Sequence, residues 1–199
     1  MIAILDYGAG NLRSVENALA EVGCPYTVVR DADGLRSAAK ILLPGVGHFG
    51  QMMRALDALD LRRALLERIA AGVPFLGICL GMQALFEGSE EAPEVRGLGL
   101  YPGTVRRFPA AARVPHMGWN QLEVRPGARL LRGLGTRPFV YFAHSFYVPP
   151  DERASALCTY ELPYTAALES GNVFGVQFHP EKSAAAGLQI VRNFVEPPC

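Results

Sequence analysis

Short apolar runs of strand length recur through the first half of this chain, and the stretches between them carry a helical pattern. Ile2–Leu5 is apolar throughout and runs into the turn Tyr7-Gly-Ala-Gly10, after which residues 11–22 read as an amphipathic helix. Residues 26–30 and 40–43 read as two more strands. Residues 51–71 read as one long helix with Gly72 at its stop, and residues 74–78 as a buried strand. Apolar strands alternating with helices are the pattern of a parallel sheet covered on both faces.

After Phe86 the texture changes. Residues 97–108, 114–124 and 139–148 are strand-like and separated by Pro/Gly-rich turns, which predicts an antiparallel or mixed extension of the sheet. The chain then reads as a strand over 173–178, a turn at His179-Pro-Glu181 and a last helix over Ala184–Val195. The predicted fold class is α/β, an open and mostly parallel twisted sheet with helices on both faces. No repeat, linker or low-complexity segment divides it, so residues 1–199 read as a single domain. A chain this long buries about 70% of its unfolded surface and needs no disulfide or metal to form a core.

Several function classes fall away. The 19 basic residues balance 19 acidic ones, and the basic residues are scattered, which removes the counterion-release affinity of a nucleic-acid binder. Ile2–Leu5 is too short for a signal or membrane segment, so a cytoplasmic protein with no membrane partner is expected. Cys24, Cys79, Cys158 and Cys199 are widely spaced and read as free thiols. His48, His116 and His144 lack metal-ligand spacing, and no metal or cofactor is expected. Gly45-Val-Gly-His-Phe-Gly50 fits the dinucleotide fingerprint, but the next strand ends at Cys79 without the acidic residue that grips a ribose. Tyr7 to Arg13 lacks the third glycine, and neither segment is a P-loop.

Ligands of open α/β sheets bind beyond the carboxyl ends of the strands, where this sequence places Cys79, His179 and Glu181. Gly77-Ile-Cys-Leu-Gly81 has the form of a strand-to-helix nucleophile elbow with cysteine as nucleophile, and residues 80–86 read as the outgoing helix. The two glycines are needed where strand and helix crowd together. A helix start favours the thiolate, the form that attacks carbonyl carbon. His179 and Glu181 flank Pro180, and in an extended backbone positions i and i+2 project to one side, so the carboxylate orients the imidazole toward Cys79. Oxyanion donors are then expected from the backbone of Leu80 and of Val46 or Gly47 in Pro44-Gly-Val-Gly47.

These residues resemble a known family. Gly77-Ile-Cys-Leu-Gly-Met-Gln83 and Phe178-His-Pro-Glu-Lys-Ser183 are similar to the motifs of class I glutamine amidotransferases, whose triad is Cys-His-Glu. More narrowly, Tyr7-Gly-Ala-Gly-Asn11, Pro44-Gly-Val-Gly47, Pro115-His-Met-Gly-Trp-Asn120 and Tyr141-Phe-Ala-His-Ser-Phe-Tyr147 resemble the glutaminase subunits of imidazole glycerol phosphate synthases. The resemblance implies hydrolysis of glutamine to glutamate and ammonia through a cysteinyl thioester. The ammonia would pass to a separate (β/α)₈-barrel synthase that makes imidazole glycerol phosphate and aminoimidazole carboxamide ribotide in histidine biosynthesis. It also implies that Gln83, Glu91 and the backbone around Ser145 hold the glutamine, and that Asn11, Ser14, Trp119, Tyr141 and Lys182 face the synthase. Phe146 stands where the family often has tyrosine. The Pro-Gly-Val-Gly loop is expected to rearrange before one of its N–H groups serves the oxyanion, leaving the isolated chain a poor glutaminase. Two alternatives stay open on the residues alone, a glutaminase for the anthranilate, purine or pyridoxal pathway and a non-enzymatic stress protein of the same architecture.

Overall fold

In the computed structural model, which describes residues 1–196, five parallel strands form one side of a nine-stranded sheet. They are β1 (Ile2–Leu5), β2 (Tyr26–Val29), β3 (Lys40–Gly45), β4 (Phe75–Cys79) and β12 (Val173–Val176), in the order β2-β1-β3-β4-β12. Every residue of β1 and β4 is buried, as strands covered on both faces require. Two clusters of buried side chains lie on the sheet, one built around Leu5, Leu43, Phe49 and Phe75 and the other around Ile4, Leu19, Phe142 and Phe178. Cys199 lies outside the described residues.

The helices depart from the sequence reading in three places. The helix expected over 51–71 is two, α3 (Phe49–Ala58) and α4 (Leu61–Ala70), broken where Asp60 takes a left-handed φ of 51°. The buried positions explain the break: Phe49, Met52, Met53 and Leu56 form one stripe, and Leu61, Leu65 and Ile69 resume it one residue out of step. A short α2 (Ala32–Arg36), not expected, is capped by Asp31, whose Oδ1 accepts from the Gly34 N–H at 2.8 Å. The helix after the elbow, α5 (Leu80–Gln83), closes after one turn instead of reaching Phe86. What reaches Cys79 is therefore the free N–H groups of that turn and not the field of a long helix. The remaining helices, α1 (Leu12–Glu21) and α6 (Ala184–Val195), stand close to where the sequence puts them.

The second half is mixed, as expected, antiparallel but for the parallel pair of β5 (Phe86–Ser89) and β6 (Tyr101–Arg107), and richer than expected. β11 (Leu162–Ser170) pairs with β12, β10 (Ala154–Tyr160) with β11, β7 (His116–Val124) with β10, and β8 (Phe139–His144) with β7. The β10/β11 hairpin carries little strand signal in the sequence because much of its apolar content is alanine, buried between longer neighbours. The segment 139–148 is interrupted at Ser145, where β9 (Phe146–Tyr147) leaves to join β5 and β6 in a three-stranded sheet.

β8 ends the nine-stranded order but is not free. The His179 N–H donates to the Tyr141 carbonyl at 2.8 Å, and Ser183 Oγ bridges the two segments, accepting from the Tyr141 N–H at 2.9 Å and donating to the His179 carbonyl at 2.7 Å. These bonds bring the end of β8 back to the carboxyl end of β12, over Cys79.

Candidate active site

The elbow is as tight as its sequence implies. Cys79 holds φ at 54°, a conformation few non-glycine residues adopt. A Cβ on Gly81 would overlap the Leu43 carbonyl oxygen of the neighbouring strand, and one on Gly77 would overlap the Gly81 carbonyl. The approach extends to the next loop, where a Cβ on Gly45 would stand 2.5 Å from the Gly81 amide nitrogen. Three glycines thus let β3, β4 and α5 converge, and Cys79 sits at the point of convergence.

His179 and Glu181 meet, though not through an extended backbone. Pro180–Lys182 is a single 3₁₀ turn with proline at its start, and it folds the carboxylate back so that Glu181 Oε1 lies 2.7 Å from His179 Nδ1. Both side chains are about 95% shielded from solvent. Burial works against the charged imidazolium, but hydrogen bonds and charge from Cys79 and Glu181 outweigh it and push His179 up to about 10. That shift favours the charged form of a ring set between the Cys79 sulfur and the Glu181 carboxylate. Glu181 Oε2 is buried without a hydrogen-bond partner among the described residues.

A cavity of about 280 Å³ opens over Cys79. Of the residues singled out in the sequence, Cys79, Leu80, Val46, Gly47, Gln83, Glu91, Ser145, His179 and Lys182 line it. Glu181 stands behind His179 and lines a separate groove with Ser14. Asn11, Trp119 and Tyr141 lie outside the cavity wall, Asn11 donating to Ser14 Oγ at 2.8 Å. Trp119 is 54% exposed and meets Tyr141 edge to face at 6.1 Å, with Lys182 Nζ 5.9 Å from the Tyr141 ring.

The cavity wall has defined polarity. Gln83 Nε2 donates to the Phe146 carbonyl and to Gln177 Oε1, each at 2.9 Å, so only its oxygen is left to receive a ligand's N–H. Glu91 Oε2 accepts from the Phe49 N–H at 2.7 Å, which fixes its carboxylate beside the start of α3. Three contributors were not foreseen. Gln177 Nε2 points at the Cys79 sulfur from 3.6 Å, His144 forms part of the wall, and Tyr7 holds the loop of Val46. Tyr7 and His144 stand inside the motifs Tyr7–Asn11 and Tyr141–Tyr147, which the sequence offers without a role for either side chain, and Gln177 shows only as an amide between apolar Val176 and Phe178. Tyr7 Oη lies 3.3 Å from the Val46 nitrogen and 3.4 Å from the Val46 oxygen, so the Val46 N–H is engaged by a side chain. Among the described residues no cluster of three His, Cys, Asp or Glu side chains could hold a metal, and no helix is long and apolar enough to cross a membrane.

A buried thiol on a strained elbow beside an oriented imidazole is equipped for acyl transfer. A family profile described as Glutamine amidotransferase class-I matches residues 3–197. The chain belongs to the class I glutamine amidotransferase family.

Other amidotransferases share the sheet as well as the sequence. The chain is 50% identical over 197 residues to the imidazole glycerol phosphate synthase subunit HisH of Methanothermobacter thermautotrophicus, covering 98% of each chain. It is 49% identical over 197 residues to the protein of the same name from Deinococcus radiodurans, covering 97% of this chain and 92% of that one. A solved glutamine amidotransferase superposes with a TM-score of 0.77 at 21% identity, covering 97% of this chain and 96% of the other. The solved PurLQS of Thermotoga maritima gives a TM-score of 0.76 at 22% identity with the same coverage. At that identity the two structures speak to the amidotransferase fold alone.

Proposed function

We propose that this chain, residues 1–199 acting as one amidotransferase domain, is the glutaminase subunit of an imidazole glycerol phosphate synthase in histidine biosynthesis. The observation that carries the reading is the His179–Glu181 bond beside Cys79, in a chain half identical to HisH subunits over nearly its whole length.

In this reading Cys79 attacks the side-chain amide carbon of glutamine. His179, held charged, passes its proton to the departing nitrogen, and ammonia leaves with a glutamyl thioester on Cys79. Water, giving a proton to the now neutral His179, cleaves the thioester to glutamate, which frees the Cys79 sulfur and restores the charged imidazole. Gln83 Oε1 and the Glu91 carboxylate accept from the α-ammonium group, and the backbone around Ser145 binds the α-carboxylate. Leu80 and the Val46–Gly47 segment supply the oxyanion donors. The engagement of the Val46 N–H by Tyr7 supports a resting state in which that donor is withheld.

Ammonia is delivered to a separate (β/α)₈-barrel synthase subunit. The partner surface in this reading runs from Asn11 and Ser14 across Tyr141, Trp119 and Lys182. Exposed Met117, Trp119 and Phe139, which share a face of the β7/β8 pair with Tyr141, support it. Free thiols at Cys24, Cys79 and Cys158 suit a reducing, cytoplasmic setting. The test is glutamate release from glutamine by the chain alone and with the barrel subunit plus its ribotide ligand, with Cys79→Ala as control. Activity gained in the complex and lost in the variant is expected. A complex that stays inactive overturns the assignment to this synthase.

A further inference from the structure

His116 and His144 take no part in the chemistry above, yet both are buried beside the cavity, their rings edge to face at 5.2 Å. Their surroundings permit one arrangement of protons. His144 Nδ1 lies 2.8 Å from the Phe146 carbonyl oxygen, which can only accept, so Nδ1 carries a hydrogen. Burial holds His144 down to about 3 and His116 down to about 4, so both rings are neutral and His144 Nε2 is a bare acceptor. His116 Nδ1, 3.2 Å from that acceptor, must therefore carry a hydrogen, and His116 Nε2 accepts from Asn120 Nδ2 at 3.4 Å. The Tyr164 hydroxyl, 3.3 Å from His116 Nδ1, bonds to the Cys158 sulfur and leaves its oxygen to accept.

We propose that His116 and His144 are positioning residues for glutamine: a one-way chain of hydrogen bonds, from Asn120 through both imidazoles to the Phe146 carbonyl, fixes the wall of the cavity. The Phe146 oxygen at its end is the acceptor that orients Gln83, and Gln83 in turn orients Gln177 toward the Cys79 sulfur. The rings cannot swing to another pairing, because His116 is stacked between Tyr160 at 4.0 Å and Phe142 at 4.9 Å. Neutrality serves the same end, since a charge on His144 would oppose the imidazolium of His179. Asn120 also donates to the Thr159 carbonyl at 3.0 Å, so the chain starts from a side chain anchored to β10. It runs from the strand that carries exposed Trp119 to the floor of the glutamine cavity.

The proton arrangement stands on the geometry and on the neutrality that burial imposes, and its effect on glutamine rests on the proposed function. Nitrogen-15 NMR of the histidine-labelled full chain at pH 7 reads the first directly. Both rings are expected neutral and in the Nδ1–H tautomer; an Nε2–H tautomer at His144, or a charged ring at either position, overturns the chain. Kinetics in the assembled synthase read the second. Because the chain shapes ground-state and transition-state binding alike, His144→Ala is expected to raise KM for glutamine about tenfold with kcat little changed. His144→Asn, whose amide replaces the Nδ1 donor, is expected to recover most of the loss. Equal losses in both variants, or a loss confined to kcat, overturn the positioning role. A wild-type chain that releases no glutamate with its partner removes the glutamine part with the function it rests on, while the spectrum still decides the proton chain.

Discussion

Tyr7→Phe should make the uncomplexed chain a better glutaminase. Tyr7 is 5% exposed, and burial, opposed by its bond to Val46, pushes it up to about 12, so its hydroxyl stays neutral and both donates and accepts a hydrogen bond. It clamps the Val46 peptide from both sides, at 3.3 Å to the nitrogen and 3.4 Å to the oxygen, both long contacts. The flanking glycines differ in freedom. Gly45 is wedged against Leu80 and Gly81, whereas Gly47, at φ +90°, has open space around it, so a turn of the Val46 peptide is taken up on the Gly47 side. If a missing oxyanion donor costs roughly 10²–10³ in rate, basal turnover is set by the small fraction of molecules whose Val46 N–H has left Tyr7. A neutral pair of this kind is worth about 0.5–1.5 kcal/mol net, so removing the hydroxyl enlarges that fraction roughly two- to twelvefold. Val46 is 37% exposed, so water can satisfy the freed peptide. The assay is glutamate release by wild type and variant, alone and saturated with partner and ligand. A basal kcat raised several-fold, with the activated rate unchanged, is expected. A variant with full activity in the complex and no basal gain would refute the clamp.

Four further outcomes follow from the geometry. Glu181→Gln removes the carboxylate that fixes His179 and should lower kcat by as much as about 10⁴-fold, with KM for glutamine nearly unchanged in steady-state assays. His179, raised from 6.5 to about 10, contributes stability that is complete below pH 6.5 and lost as pH rises through about 10; urea unfolding should show that decline, and a His179→Gln variant that declines equally would exclude the pairing as its source. Gly81→Ala drives a methyl into the Leu43 carbonyl and should lower stability by about 1–3 kcal/mol, a Tm shift of roughly 2–12 °C by calorimetry. Trp119→Ala should weaken partner binding by about 30-fold in titration calorimetry while basal glutaminase activity holds, as expected of an exposed aromatic anchor.

The parallel half of the fold was legible because its signals are local. Ile2–Leu5 and Phe75–Cys79 are buried on both faces, so each announces itself in a few consecutive residues. The elbow was legible for the same reason: Gly77 and Gly81 are dictated by backbone atoms that any strand-to-helix turn of this shape brings together. The β10/β11 hairpin was not, because Ala154, Ala156, Ala166 and Ala167 owe their burial to the strands on either side and not to their own hydrophobicity. Asp60 shows the opposite failure. The residues around it favour a helix locally, and only the need to keep two apolar stripes on one core breaks it.

Chemistry followed the same division. The His179–Glu181 contact was predicted correctly from an incorrect backbone, since a 3₁₀ turn and an extended strand both let positions two apart meet across a proline. What escaped the sequence spans long separations, 39 residues from Tyr7 to Val46 and 98 from Cys79 to Gln177. In the proposed reading these contacts tune how active the site is, as distinct from what reaction it performs. The proposed nucleophile, base and orienter lie in two short segments at adjacent strand ends, whereas Tyr7, which engages the Val46 N–H, follows β1, and the Phe146 carbonyl that holds Gln83 belongs to β9 and is bonded in turn to His144 of β8. In the proposed reading, a partner on the β7/β8 face has two routes to the site: through Asn120 and the two imidazoles to the cavity wall, and through the backbone of Tyr141, which is bonded directly to His179 and Ser183.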